Sequence, residues 1–192
     1  MIDQPKTTTQ FPAKYWLPIV SWPLLAVLCL TFFVPHNPRV FHIAHMLSNE
    51  IYNSYIAVTV LIIVYLSRRR KTPLLAWWPF DASISSFLFV MGLKYAVNMP
   101  RPSGGPLGFP SGHTTYSYLL AWLMLETSPR LGVPWVIVAM LIGWSRVEVG
   151  AHFPYQVITG APLGMLIGYW VTHQPGGIIL PRLVNKVRRT KT

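Results

Sequence analysis

Apolar residues along the 192-residue chain gather into six blocks separated by short polar or basic stretches. The blocks fall at 15–34, 47–66, 74–99, 113–126, 131–147 and 154–173. A helix that crosses a bilayer needs about 20 residues, and most of the blocks approach that length. The fourth is shorter, so it is either a stubby span or a helix that starts deeper in the protein. The pattern predicts an all-α fold, an integral membrane bundle of six transmembrane helices. The linkers are too short for a second domain, so residues 1–192 are expected to form a single membrane domain with a basic tail from about 175 to 192.

Composition strengthens this reading. Hydrophobic residues make up 52% of the chain and charged residues only 11%, about half the charged share of a soluble domain. Mean hydropathy is +0.41. Lys6 and Lys14 precede the first apolar block, as in a signal peptide. That block continues to residue 34 with no small-x-small cleavage site after it, so it is read as a retained helix. The single cysteine, Cys29, lies inside this block and is read as a small core hydrophobe.

The net charge of +11 would suit a nucleic-acid binder, but its distribution points elsewhere. Lys and Arg concentrate on the cytoplasmic side of membrane proteins. With both termini in the cytoplasm, that side holds Lys6, Lys14, Arg68, Arg69, Arg70, Lys71, Arg130, Arg182, Lys186, Arg188, Arg189 and Lys191. The opposite side holds only Arg39, Lys94, Arg101 and Arg146. Basic blocks are therefore topology signals, and no nucleic-acid partner is expected. The expected location is a membrane, most simply a bacterial inner membrane with the second face periplasmic.

The four outlying cations call for a reason, because charge near a bilayer usually has a partner or a task. Three of them sit in segments that converge on one face. Lys94 and Arg101-Pro102 end the third block, Pro110-Ser111-Gly112-His113 open the fourth, and Ser145-Arg146 lead off the fifth towards His152. Lys94 offers a point charge; Arg101 and Arg146 offer planar forks for phosphate oxygens. A helix beginning at Ser111 exposes unpaired amides to an anion, with Gly112 allowing close approach and Ser111 adding a hydroxyl. His113 and His152 can then supply an acid and a nucleophile or base. No carboxylate cluster with metal spacing accompanies them, so neither a metal nor another cofactor is expected.

The blocks Lys94-x6-Arg101-Pro102, Pro110-Ser111-Gly112-His113 and Ser145-Arg146-x5-His152-x3-Gln156 resemble, in order, the signature of the type-2 phosphatidic acid phosphatase superfamily. The resemblance covers roughly helices three to six. It implies a metal-independent reaction in which His152 attacks phosphorus and forms a phosphohistidine. His113 would protonate the leaving oxygen, while Lys94, Arg101, Ser111, Gly112 and Arg146 hold the phosphoryl group. The family's final position is usually Asp, which orients the nucleophilic histidine; here it is Gln156. Branches similar to glucose-6-phosphatase and dolichyl diphosphatase also carry Gln there. Glu148 is the rival orienter, against a plainer reading as a membrane-surface acid.

The expected function is a lipid phosphate or diphosphate phosphatase acting at the extracytoplasmic face, with a polyprenyl diphosphate as the first substrate guess and membrane lipids as partners. The alternatives are a lipid phosphotransferase using the same phosphohistidine and a non-catalytic lipid-binding or transport protein. The remaining features have plainer readings. His36, His42 and His45 fall in or beside the first loop and read as solvated or interfacial, since His42-x-x-His45 lacks further metal ligands. Asp81 reads as a packing residue in the cytoplasmic half of helix three. Gly160-x3-Gly164-x3-Gly168 reads as a smooth face for helix packing inside the monomer, and dimerisation is the second reading.

Overall fold

The computed structural model describes residues 13–31 and 37–174; Lys6, His36 and the basic tail with Arg182, Lys186, Arg188, Arg189 and Lys191 lie outside them. All regular structure among the described residues is helical: α1 (Trp16–Thr31), α2 (Pro38–Met46), α3 (Tyr52–Arg69), α4 (Trp78–Val97), α5 (Gly112–Thr127), α6 (Pro129–Glu148) and α7 (Pro154–His173). Four stretches are long and apolar enough to cross a membrane: Ala13–Thr31, Pro38–Arg69, Pro73–Val97 and Pro129–Glu148.

The second stretch begins at Pro38, well before the expected start at residue 47. Asn37 caps it, accepting from the amides of Arg39 and Val40, and Pro38 occupies the first turn where no amide is needed. His42 and His45 therefore lie on α2 and not in a loop. From α2 the chain passes without a break through one π-helical turn, Leu47–Ile51, into α3.

The short helix α5 forms the centre. Twelve of its 16 residues are buried, and it packs against α3, α4, α6 and α7. A helix wrapped in protein does not need the length or the uniform apolarity of one facing lipid, which accounts for the short fourth block. Its approach to α7 depends on the glycine stripe. A Cβ at Gly164 would collide with the Thr115 carbonyl, and one at Gly168 would lie 2.7 Å from Trp122 Cβ. The stripe thus serves packing within the chain. Large apolar side chains of the outer helices point outward, Leu61 with 68% and Leu30 with 67% of their surface exposed, the inverse of a soluble protein and the expected dress of a lipid-facing surface. Cys29 is buried between α1 and its neighbours.

Antiparallel connections sort the helix ends into two groups. At one end Lys14 Nζ pairs with Glu126 at 2.6 Å, and Arg70 donates to the last-turn carbonyl of Thr127 in α5, where a cation suits the helix dipole. At the opposite end the last turns of α4 and α6 meet the first turns of α5 and α7.

Candidate functional site

The site is built at that second end. Asn98 stops α4: it adopts a left-handed conformation (φ 45°), and its amide bonds Lys94 O at 2.9 Å. Pro100 follows, so the helix cannot resume. The chain turns back through a loop whose closure is fixed by Arg101 N to Gly105 O (2.8 Å) and Gly108 N to Met99 O (2.7 Å). Lys94 is buried and donates one proton to Leu107 O in this loop; an ammonium has two more.

Ser111 is fully buried at the N-cap of α5, with no side-chain cap bonding the first turn. Its hydroxyl oxygen accepts from Thr114 Oγ1 at 3.0 Å, leaving its own proton to donate elsewhere. Packing does not explain Gly112. A Cβ there would meet only Val90 Cγ1, at an ordinary 3.7 Å.

Arg146 ends α6. Its carbonyl accepts from the amides of Ala151 and His152 at 3.1 and 3.0 Å, which curls the turn so that His152 returns over the arginine. Lys94, Arg101 and Arg146 all lie within coulombic range of both His113 and His152. The Nε atoms of Arg101 and Arg146 are buried with no hydrogen-bond partner among the described residues.

Gln156 is fully buried and spends its amide in two directions. Oε1 lies 3.0 Å from His152 Nδ1 and accepts from Phe153 N at 3.2 Å; Nε2 donates to Pro100 O at 2.8 Å and to Tyr155 OH at 3.2 Å. The Phe153 amide can only donate and the Pro100 carbonyl can only accept, so the orientation of the side-chain amide is unambiguous. His152 must then carry its proton on Nδ1, which leaves Nε2 as the basic nitrogen. Burial first, then the neighbouring Arg146, Lys94 and Arg101, pull the His152 pKa from 6.5 down to about 4, against the opposing effect of the Gln156 bond. At neutral pH this imidazole is uncharged.

Glu148 does not take the orienting position. One of its carboxylate oxygens is buried without a partner, and no hydrogen bond joins it to His152 among the described residues. Two contributors were not legible in the motif. Gly108 admits the bond between Gln156 and Pro100, since a Cβ there would lie 2.6 Å from both partners. Tyr52 of α3 lies against His113, with ring centroids 4.1 Å apart. The sequence held a hint of Gly108, which sits between two prolines of a tight loop, but none of Tyr52. Among the described residues, no group of three or more His, Cys, Asp or Glu is placed to hold a metal ion.

Comparison with known proteins places this geometry in context. Residues 103–179 match the sequence profile of the PAP2 superfamily. The undecaprenyl-diphosphatase BcrC of Bacillus subtilis is 35% identical over 77 residues, 40% of this chain and 40% of that protein. The bacitracin transport permease protein BcrC of Bacillus licheniformis is 26% identical over 147 residues, 70% of each chain. The chain thus spans less than half the length of the first of these relatives. The crystal structure of a transmembrane PAP2 type phosphatidylglycerolphosphate phosphatase from Bacillus subtilis superposes with a TM-score of 0.51 at 19% identity, covering 82% of this chain and 94% of that one. The profile match, the related sequences and the shared helical fold lead to one conclusion: residues 103–179, which hold most of the site, carry the PAP2 superfamily profile within a fold like that of a transmembrane PAP2 phosphatase.

Proposed function

We propose that this integral membrane protein is a lipid phosphatase whose site removes a terminal phosphate through a phosphohistidine. The observation that carries the reading is the pair of buried, unpartnered Arg101 and Arg146 Nε donors beside two histidines. Buried donors of this kind are costly unless an acceptor meets them, and a phosphoryl group brings several acceptor oxygens. Lys94, Ser111 and the first amides of α5 complete the cradle, and Gly112 lets the phosphate reach those amides.

In this reading, His152 Nε2 attacks phosphorus while the bond to the leaving oxygen breaks. His113 delivers a proton to that oxygen, and the protonated lipid product departs. Water then attacks the phosphohistidine: the P–N bond breaks, His113 takes the water's proton, and inorganic phosphate leaves. Gln156 holds the His152 ring in the tautomer that leaves Nε2 free. No step calls on a divalent ion, because the charge that stabilises the phosphoryl group comes from side chains.

The substrate class proposed first is a polyprenyl diphosphate, supported by the name of the Bacillus subtilis relative. Phosphatidate, phosphatidylglycerol phosphate and a lipid A phosphate are the competing substrates. The distribution of Lys and Arg supports a site on the extracytoplasmic face, with all six helical stretches crossing the bilayer. Purified protein offered each of these lipids in detergent should release inorganic phosphate from at least one, and His152→Ala should release none. Phosphate passed into a second lipid would identify a phosphotransferase. Binding without turnover of any lipid would identify a carrier.

The lowered His152 pKa sets the acid side of the rate profile. The group is neutral, and so nucleophilic, above about pH 4, and loses activity only as pH falls through that value. Corrected for substrate ionisation, protonation of His152 should therefore cause no loss of kcat/KM between about pH 7 and pH 5. An inflection near 6.5 that reports the enzyme and not the substrate would contradict this placement of His152.

A further inference from the structure

His152 is oriented by a hydrogen bond to Gln156, whereas no hydrogen bond holds the His113 ring among the described residues. Its close neighbour is instead an aromatic face. The Tyr52 and His113 rings lie with centroids 4.1 Å apart and planes inclined by 33°, a close tilted contact between two rings. Tyr52 is the first residue after the π-helical turn Leu47–Ile51. Such a turn inserts one extra residue and shifts the helix phase by roughly 100°, one residue's share of a helical turn. It is anchored on the site from the same side: Ser48 Oγ lies 3.0 Å from Ser145 Oγ, both groups buried, immediately before Arg146. The Tyr52 hydroxyl is within coulombic range of the Arg146 guanidinium. Helix α3 lies outside the three motif blocks, yet this turn ties it to the site at two points.

We propose that Tyr52 is a positioning residue for His113: its ring fixes the plane of the imidazole, and its electron-rich face favours the protonated form that serves as acid. The inference rests on the reading of His113 as the proton donor to the leaving oxygen. A residue acting through that donor should matter where the leaving group needs a proton and not where it does not.

The test compares kcat/KM on hexadecyl phosphate, whose alkoxide leaves poorly without a proton, and on 4-nitrophenyl phosphate, whose phenolate leaves unaided. His113→Ala serves as the control. It should lose at least about 10²-fold on the alkyl ester, as loss of a general acid does, and far less on the nitrophenyl ester. Tyr52→Leu should show the same asymmetry at smaller size, about tenfold on the alkyl ester with little change on the other. Tyr52→Phe, which keeps the ring, should restore the parent ratio. Equal losses on both substrates in Tyr52→Leu, with the control still asymmetric, would overturn the proposal alone. So would a Tyr52→Phe variant as impaired as Tyr52→Leu. If His113→Ala itself shows no asymmetry, the acid assignment of His113 fails first, and the role of Tyr52 fails with it.

Discussion

Arg101→Ala and Arg146→Ala are each expected to lower kcat/KM by roughly 10²- to 10⁴-fold. A guanidinium that grips a phosphoryl group makes two charge-assisted hydrogen bonds, each worth about 1.5–3 kcal/mol, and each 1.4 kcal/mol is about tenfold in rate. Each arginine also has a buried Nε without a partner among the described residues, so the loss is expected to fall on ligand contacts and not on an existing internal network. Arg→Lys at the same positions should recover part of the activity, because charge returns but the planar fork does not. The measurement is steady-state kinetics on the best lipid found, alongside the thermal unfolding midpoint. Near-parent turnover in both alanine variants would put phosphate binding elsewhere in the molecule.

Gln156→Glu should be nearly as damaging at neutral pH, although a carboxylate is the commoner partner of the nucleophilic histidine in the resembling family. Glutamate matches glutamine in size, and the oxygen facing His152 Nδ1 and Phe153 N can still accept. The other atom decides the outcome. Nε2 donates to the Pro100 carbonyl at 2.8 Å, where a carboxylate oxygen would face another oxygen in a fully buried position. Breaking that contact leaves a buried group unsatisfied, about 1–3 kcal/mol, and releases the loop that carries Arg101. Once protonated, the introduced carboxyl can again donate to Pro100, so the variant should regain activity as pH falls through that group's own titration. An activity for Gln156→Glu equal to the parent at neutral pH would show that the bond to Pro100 has no kinetic weight.

The residues just discussed show which parts of this protein the amino-acid sequence reveals and which it hides. That Lys94, Arg101, His113, Arg146 and His152 gather at one end of the bundle was legible, because short segments at helix ends can bring such residues together. The span of α7 was legible because Pro154 opens it in the first turn. The start of α2 was missed because Arg39, His42 and His45 depress the hydropathy of its first turns; the capping pair Asn37-Pro38 was the better signal. The π turn before Tyr52 has no sequence rule that announces it. The bond between Gln156 and Pro100 joins residues 56 apart in the chain, so only the folded bundle reveals it. The reason for the short α5 was likewise tertiary: burial on nearly every side replaces contact with lipid.

The most direct test of the account is to look for the covalent intermediate. The protein would be mixed with a lipid substrate carrying ³²P in its terminal phosphate, quenched in alkali within a single turnover, and mapped by peptide. A phosphohistidine is lost in acid and survives alkali, the reverse of a phosphoserine. Label of that kind is expected on the peptide containing His152, and none in His152→Ala. A chase with excess unlabelled substrate should move the label into inorganic phosphate. Steady phosphate release from the parent protein with no alkali-stable label, or with the label on another residue, would contradict the phosphohistidine route.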